Sequence, residues 1–540
     1  MVRIARPQEN ASAPRIRKLS ALPVVPPGEV GLDAKALEDH RQRAGWQLSL
    51  GLLPGLAECV VARDRIGYLD CQGRADLETG TPVRPKTLFR CFSMTKPITA
   101  VAAMRLVEMG KISLDDPVGK YIPSFSDMKV VRPDSVEEWG VGLRTPEHLE
   151  PLQRPITLRH LLTHTSGLAY GPDRYALSEE LKPKDPIEES YCPLVAAVDS
   201  GKIDTLAKFC DALAALPLRF QPGTEYLYSH SVDVVGRVIE VVSGMPLDAF
   251  LQRTVLRPVG MSHTTFSIPR ERVGDLAAMY KAEREEPKSS SSRSQRSRSP
   301  AQKLLDDAQP ISVRLVRMDG KRPEDSAWYG RVRVLAGGGM MGSCAGGLVS
   351  CLRDVALFCN MLMNGGKTTS GRRVLRQSTV CSLWRDWLRL RSVTGDRAGQ
   401  PLTLKGWTNG WRIGWSPLGH VRRHDRCLYM GGWSTSWAIY PRWKLATVSL
   451  TQSMVWFDVP AWDSKRDELD GVVEKVRKRM RQRALQSRGG SGGGNSAATA
   501  AGKRKRALAR HTSSSETRSS SRGSKRVRRS STGSRSPESN

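Results

Sequence analysis

The chain has no apolar run of membrane-spanning length, no Cys-x-x-Cys pair among its ten cysteines, and few aromatic residues, 6% of the total. The first absence argues against a helical membrane span. The second removes the usual spacing of a zinc site or a disulfide framework. The cysteines therefore read as reduced, packed thiols, no metal or other cofactor is expected, and the expected compartment is intracellular, cytoplasmic or nuclear. The N-terminus carries five lysines and arginines before Leu19 but lacks the apolar core of a secretory leader; organelle targeting is left open. Acidic residues are scarcest where basic ones crowd. Residues 471–540 hold nineteen lysines and arginines against three glutamates, a net of +16 within a total of +30.

What remains is enough for a large core, since 39% of 540 residues are hydrophobic. Residues 1–28 read as a flexible, extended N-terminal segment, 29–470 as the folded domain, and 471–540 as a basic low-complexity tail. A disordered Arg/Ser insertion interrupts the domain at about 283–305, with SSSSRSQRSRSP at 289–300. Periodicity predicts helices over 31–46, from 93 onward, over 205–216, 231–243, 246–256 and 348–364, and a short one over 156–167 capped by Thr157 and stopped at Gly167. A hairpin is expected at 58–62 and 66–70, sheet strands at 407–415, and a second hairpin over 427–452. The tail combines arginine with serine and glycine, so its expected partner is nucleic acid bound without sequence preference. Lys503-Arg504-Lys505-Arg506 and Lys525-Arg526-Val527-Arg528-Arg529 also look like nuclear-import clusters or merely solvated charge.

Chemistry concentrates at Ser93-Met94-Thr95-Lys96. Serine and lysine three apart on the first turn of a helix point the same way, which sets an amine beside a hydroxyl. A serine is a poor nucleophile until a neighbouring base takes its proton, and a desolvated lysine can be that base. The helix start adds unpaired N–H groups near any oxyanion that forms. Alone, S-x-x-K arises by chance about once or twice in a chain this long, so the other residues must support it. Tyr228 and His230 lie in an exposed turn at the start of the 231–243 helix, where a phenol could face a pocket. His164 reads as a brace that holds a turn by side-chain to backbone hydrogen bonds. Paired Gly431 and Gly432 in a strand require something to approach the backbone closely, often a ligand. Gly337-Gly338-Gly339-Met340-Met341-Gly342 matches G-x-G-x-x-G without the surrounding β-α-β pattern, and Gly365-Gly366-Lys367-Thr368 lacks the upstream glycine of a P-loop.

Residues from about 30 to 455 resemble the serine β-lactamase-like superfamily, closest to its family VIII carboxylesterases and related acyltransferases. Phe92 to Lys96 is similar to the nucleophile motif, Leu161-Leu162-Thr163-His164-Thr165-Ser166-Gly167-Leu168 to L-L-T-H-T-S-G-L, and residues 226–236 to the tyrosine loop. Residues 346–350 through 364–366 are similar to the G-G-L-x-S to N-G-G helix, and Met430-Gly431-Gly432 holds the place of the third motif. The resemblance implies an α/β (α+β) fold, with an antiparallel sheet flanked by helices, a mostly helical region, and the site between them. It further implies Ser93 as the acylated nucleophile, Lys96 as its base, Tyr228 as the proton shuttle, and backbone N–H groups of Ser93 and Trp433 as the oxyanion hole. His230, Met430, Gly431 and Gly432 would bind substrate. Methionine at 430, where penicillin-recognising relatives have lysine or histidine, points to a small neutral ester or thioester. A β-lactamase or D,D-peptidase, and an inactive scaffold with RNA-binding Arg/Ser tracts, are the competing readings.

Overall fold

A computed structural model describes residues 22–135, 146–170, 186–284, 313–320, 347–388, 414–422 and 426–454, together with Leu469 and Gly471. All of them lie within Met1–Val476. The G-x-G-x-x-G stretch at 337–342, positions 407–413, the insertion from 285 to 305 and the tail from 472 fall outside the described residues. Among the described residues no helix is long and apolar enough to cross a membrane.

The centre is an eight-stranded antiparallel sheet. Its order is Gly414–Ser416, Gly419–Arg422, Arg426–Gly431, Thr435–Tyr440, Leu445–Leu450, Gly55–Ala62, Arg65–Asp76 and Thr81–Pro82. Gly55–Ala62 is buried along its whole length, because helices cover both of its faces. Register separates those faces. Tyr429 pairs with Trp437, Trp437 with Val448, and Val448 with Cys59, so these four share one side. Met430, Ser436, Ser449 and Glu58 share the other. The helix Ala34–Ser49 packs on the second side, where His40 Nε2 lies 2.7 Å from Glu58 and the Ser449 hydroxyl donates to the same carboxylate at 2.8 Å.

Several expected boundaries move, each for a local reason. The first helix begins at Ala34 rather than 31, because Asp33 caps it by accepting from the Ala36 N–H at 3.2 Å. Before it, residues 22–28 are not loose: Leu22 is buried, the Val25 N–H donates to Ile66 O, and the Ile66 N–H donates to Pro23 O. The helix over 348–364 is Leu352–Met363, preceded by the strand Val349–Ser350, which pairs with Phe89–Arg90. The helix after Thr157 is only Leu158–Leu162. It stops before His164, whose φ of 54° is incompatible with continuation. The strand Tyr280–Arg284 runs two residues into the segment assigned to the insertion. The helix Ser231–Ser243, closed by left-handed Gly244, stands where the sequence set it.

The expected hairpin over 427–452 turns at Pro441–Trp443 and pairs Thr435–Tyr440 with Leu445–Leu450, but its first arm is two strands rather than one. Gly432–Ser434 breaks the first arm, with Trp433 and Ser434 at φ of 59° and 67°.

Candidate active site

The site is built outward from the turn before the helix Thr95–Glu108. Phe89–Arg90 is held as a strand, the Cys91 N–H donates to Leu348 O at 2.8 Å, and Phe92 then adopts φ of 46° to start the turn Phe92–Met94. A left-handed phenylalanine costs on the order of 1–3 kcal/mol and persists only where its surroundings dictate it. Here its ring is buried with Trp433, Leu88 and Ile268. Ser93 and Lys96 emerge from this turn as the spacing requires, both buried, with Lys96 Nζ 3.1 Å from Ser93 Oγ.

The second component is the loop 226–230. Its backbone is tied to the L-L-T-H-T-S-G-L segment: the Leu227 N–H donates to His164 O at 2.9 Å and the Ser229 N–H to His164 Nδ1 at 3.2 Å. The Ser166, Ser229 and Ser231 hydroxyls form a chain at 2.8 and 2.7 Å. Thus His164 is the brace that its sequence context suggests. The Tyr228 ring lies 4.5 Å from the His164 ring, and Lys96 Nζ is 4.6 Å from the Tyr228 centroid. The turn is not exposed as expected: Ser229 and His230 are buried beneath the helical layer. His230 faces Asp233, with Nδ1 3.1 Å from Oδ2, and its ring stands edge-on to Tyr170 at 4.4 Å.

The third component is the strand Arg426–Gly431, and it holds a correction. Alternation turns Tyr429 and Gly431 toward the Ser93 turn and Met430 away from it. The Tyr429 hydroxyl is 3.5 Å from that of Tyr228, whereas Met430 pairs with Ser436 on the opposite face. The close approach that the glycine pair demands is made by the chain itself. A Cβ at Gly431 would lie 2.2 Å from Cys91 O, and one at Gly432 3.5 Å from the Phe92 ring.

Tyr170 and Tyr429 were not picked out by the sequence reading. Tyr170 lies two residues beyond the L-L-T-H-T-S-G-L segment, with its ring 5.6 Å from Lys96 Nζ and 5.6 Å from the Tyr228 ring. Burial, and then proximity to Tyr228, pushes the phenols of Tyr170, Tyr226 and Tyr429 well above their ordinary range. All three are therefore neutral at physiological pH. The centre thus presents one amine, one serine hydroxyl and a wall of phenols. Elsewhere His263, Cys351 and Asp354 gather their polar atoms within 4.8 Å. There Asp354 accepts from the His263 N–H at 2.7 Å and the Thr264 hydroxyl at 2.9 Å, clamping a loop to the start of Leu352–Met363.

An antiparallel sheet between helical layers, with a Ser-x-x-Lys turn abutting a glycine strand, is the architecture of β-lactamases and penicillin-binding proteins. Residues 48–470 match the Beta-lactamase family, and the chain belongs to it. It is similar to Protein Rv1367c of Mycobacterium tuberculosis (strain ATCC 25618 / H37Rv), 35% identical over 236 residues, which is 44% of this chain and 53% of that one. It is similar to Esterase EstB of Burkholderia gladioli, 36% identical over 222 residues, 40% of this chain and 47% of that one. The chain spans about half the length of these curated relatives. Among solved structures, EstCE1, a hydrolase with promiscuous acyltransferase activity, aligns with a TM-score of 0.55 at 22% identity, over 81% of this chain and 97% of that one. Simvastatin synthase (LovD) from Aspergillus terreus aligns with a TM-score of 0.57 at 18% identity, over 82% and 98%. At those identities the likeness is one of fold.

Proposed function

We propose that this chain is a serine hydrolase or acyltransferase that works through an acyl-enzyme on small neutral esters or thioesters. The observation that carries the reading is the 3.1 Å contact of Lys96 Nζ with Ser93 Oγ, with Tyr228 against both the amine and Tyr429. Lys96 takes the Ser93 proton as Oγ attacks the carbonyl carbon. The resulting oxyanion is held by the Ser93 N–H and by an N–H of the Gly432–Ser434 turn. Trp433 is the donor if the third motif begins at Met430; because Tyr429 is the residue that faces the site, we assign the donor to Gly432. Tyr228 passes the proton to the departing alcohol or thiol, the C–O or C–S bond breaks, and the acyl group stays on Ser93. Water or an alcohol, deprotonated along the same path, then releases it.

The substrate class follows from Tyr429. A buried phenol stands where a cation would be needed to hold a carboxylate, which favours neutral substrates over β-lactams and peptides. The names of Esterase EstB and of the monacolin J acid methylbutanoyltransferase of Aspergillus terreus, 28% identical over 225 residues, agree with ester chemistry. The basic tail is proposed to act separately, as a polyanion-binding appendage. The test is hydrolysis of p-nitrophenyl butyrate by wild type and Ser93→Ala. Turnover should fall by about three orders of magnitude or more. A Ser93→Ala variant that keeps its rate excludes an acyl-enzyme at this residue.

A further inference from the structure

A chain of alternating charge runs from the surface to the nucleophile turn. Arg317 Nη1 contacts Asp76 at 2.9 Å and Glu78 at 3.0 Å, its Nε contacts one oxygen of Asp319 at 3.0 Å, and the other Asp319 oxygen holds Arg90 Nη2 at 2.7 Å. Arg90 Nη1 also donates to Ala277 O at 2.6 Å. Glu78 is half exposed, Arg317 and Asp319 are nearly covered, and the Arg90 side chain is 0% exposed. Ion pairs this deep add little net stability over a well-packed apolar substitute, because desolvation offsets their attraction. What they do supply is geometry.

That geometry is spent on Arg90, three residues before Ser93. Its backbone is gripped on both sides by Gln452, whose amide oxygen accepts from the Arg90 N–H at 3.0 Å while its Nε2 donates to the Arg90 carbonyl at 3.3 Å. Two residues later comes Phe92, at φ of 46°. A strained residue immediately before the nucleophile needs a fixed point behind it, or it relaxes and moves Ser93 Oγ off Lys96. We propose that Asp319, acting through Arg90, is a positioning residue that fixes the Ser93 turn in its reactive geometry. This rests on Ser93 being the nucleophile.

The test uses Asp319→Asn, Asp319→Glu and Arg317→Gln in the full chain, with wild type beside them. The rate of fluorophosphonate labelling, the titrated fraction of active sites, and kcat and KM for a p-nitrophenyl ester are measured for each. Asp319→Asn should lose at least about tenfold in labelling rate and in kcat per titrated site, with KM nearly unchanged, since displacement of a reacting atom by an ångström acts on the chemical step. Asp319→Glu should recover most of the loss. Arg317→Gln removes only the outer link, leaves Asp319 paired with Arg90, and should show a smaller loss of the same kind. Variants that label at the wild-type rate per titrated site, or whose loss lies wholly in the titrated fraction, overturn the proposal. A wild type that is not labelled at Ser93 overturns instead the functional reading beneath it.

Discussion

Gly431→Ala is the substitution whose effect the structure sets most sharply. Its Cβ would stand 2.2 Å from Cys91 O and 2.3 Å from Thr435 Oγ1. Thr435 can rotate its hydroxyl away, but Cys91 O is backbone two residues before Ser93, and ordinary contact requires it to give by about 1 Å. Overpacking of this kind costs about 1–3 kcal/mol of stability. The larger effect falls on chemistry: a shift of about 1 Å in a reacting group costs roughly a hundredfold in rate. Gly432→Ala is the control from the same turn, since its Cβ would meet only the Phe92 ring at an ordinary 3.5 Å. Steady-state hydrolysis of a p-nitrophenyl ester, with thermal unfolding to verify the fold, separates the two. Gly431→Ala should lose about two orders of magnitude in kcat, and Gly432→Ala much less. Equal rates for the two variants would refute the idea that Gly431 is there to let the nucleophile turn approach.

Tyr429→Lys sets a cation on the site face, so the excess of ester over cephalosporin turnover should shrink by about ten- to a hundredfold, the worth of one charged hydrogen bond. Met430→Lys, on the far face, should leave that ratio alone, and the reverse outcome would return Met430 to the site. Lys96→Ala and Tyr228→Phe should each lower kcat in a folded protein, and combining Ser93→Ala with Lys96→Ala should be little worse than either alone. Losses that simply add would mean that serine and lysine do not work as a unit. Deleting residues 488–540 should leave ester hydrolysis unchanged while removing salt-sensitive retention on heparin. A folded truncation without hydrolysis contradicts the separation of tail from enzyme.

How much of this was legible depends on the distance over which each feature is determined. Ser93 and Lys96 are three apart on one helix, so helical period alone joins them. The Tyr228 loop and its His164 brace sit 65 residues apart; each carries a recognisable motif, but only the folded chain shows that one holds the other. The face that Met430 takes is not legible in the third motif, because a glycine pair marks close approach without saying which face the preceding side chain takes. The kink at Trp433 and Ser434 and the pairing of Met430 with Ser436 decide that. Counting outward from Gly431, the glycine that meets Cys91, would have found Tyr429. Tyr170 and Asp319 left no such signal. Asp319 is 229 residues from Arg90, and only the folded chain brings them together. The helix over 156–167 is overextended for a simpler reason: Gly167 reads as its stop signal, and the positive φ of His164 is not written in its residue type.

The central claim is that Ser93, activated by Lys96, carries the acyl group, and the most direct measurement is the site of covalent capture. The full chain is treated with a fluorophosphonate, digested, and the modified peptide is sequenced by mass spectrometry. A single adduct on Ser93 is expected, lost in Ser93→Ala and strongly slowed in Lys96→Ala. An adduct on Ser166 or Ser434 with Ser93 untouched, or no adduct on a folded protein that hydrolyses esters, would contradict it.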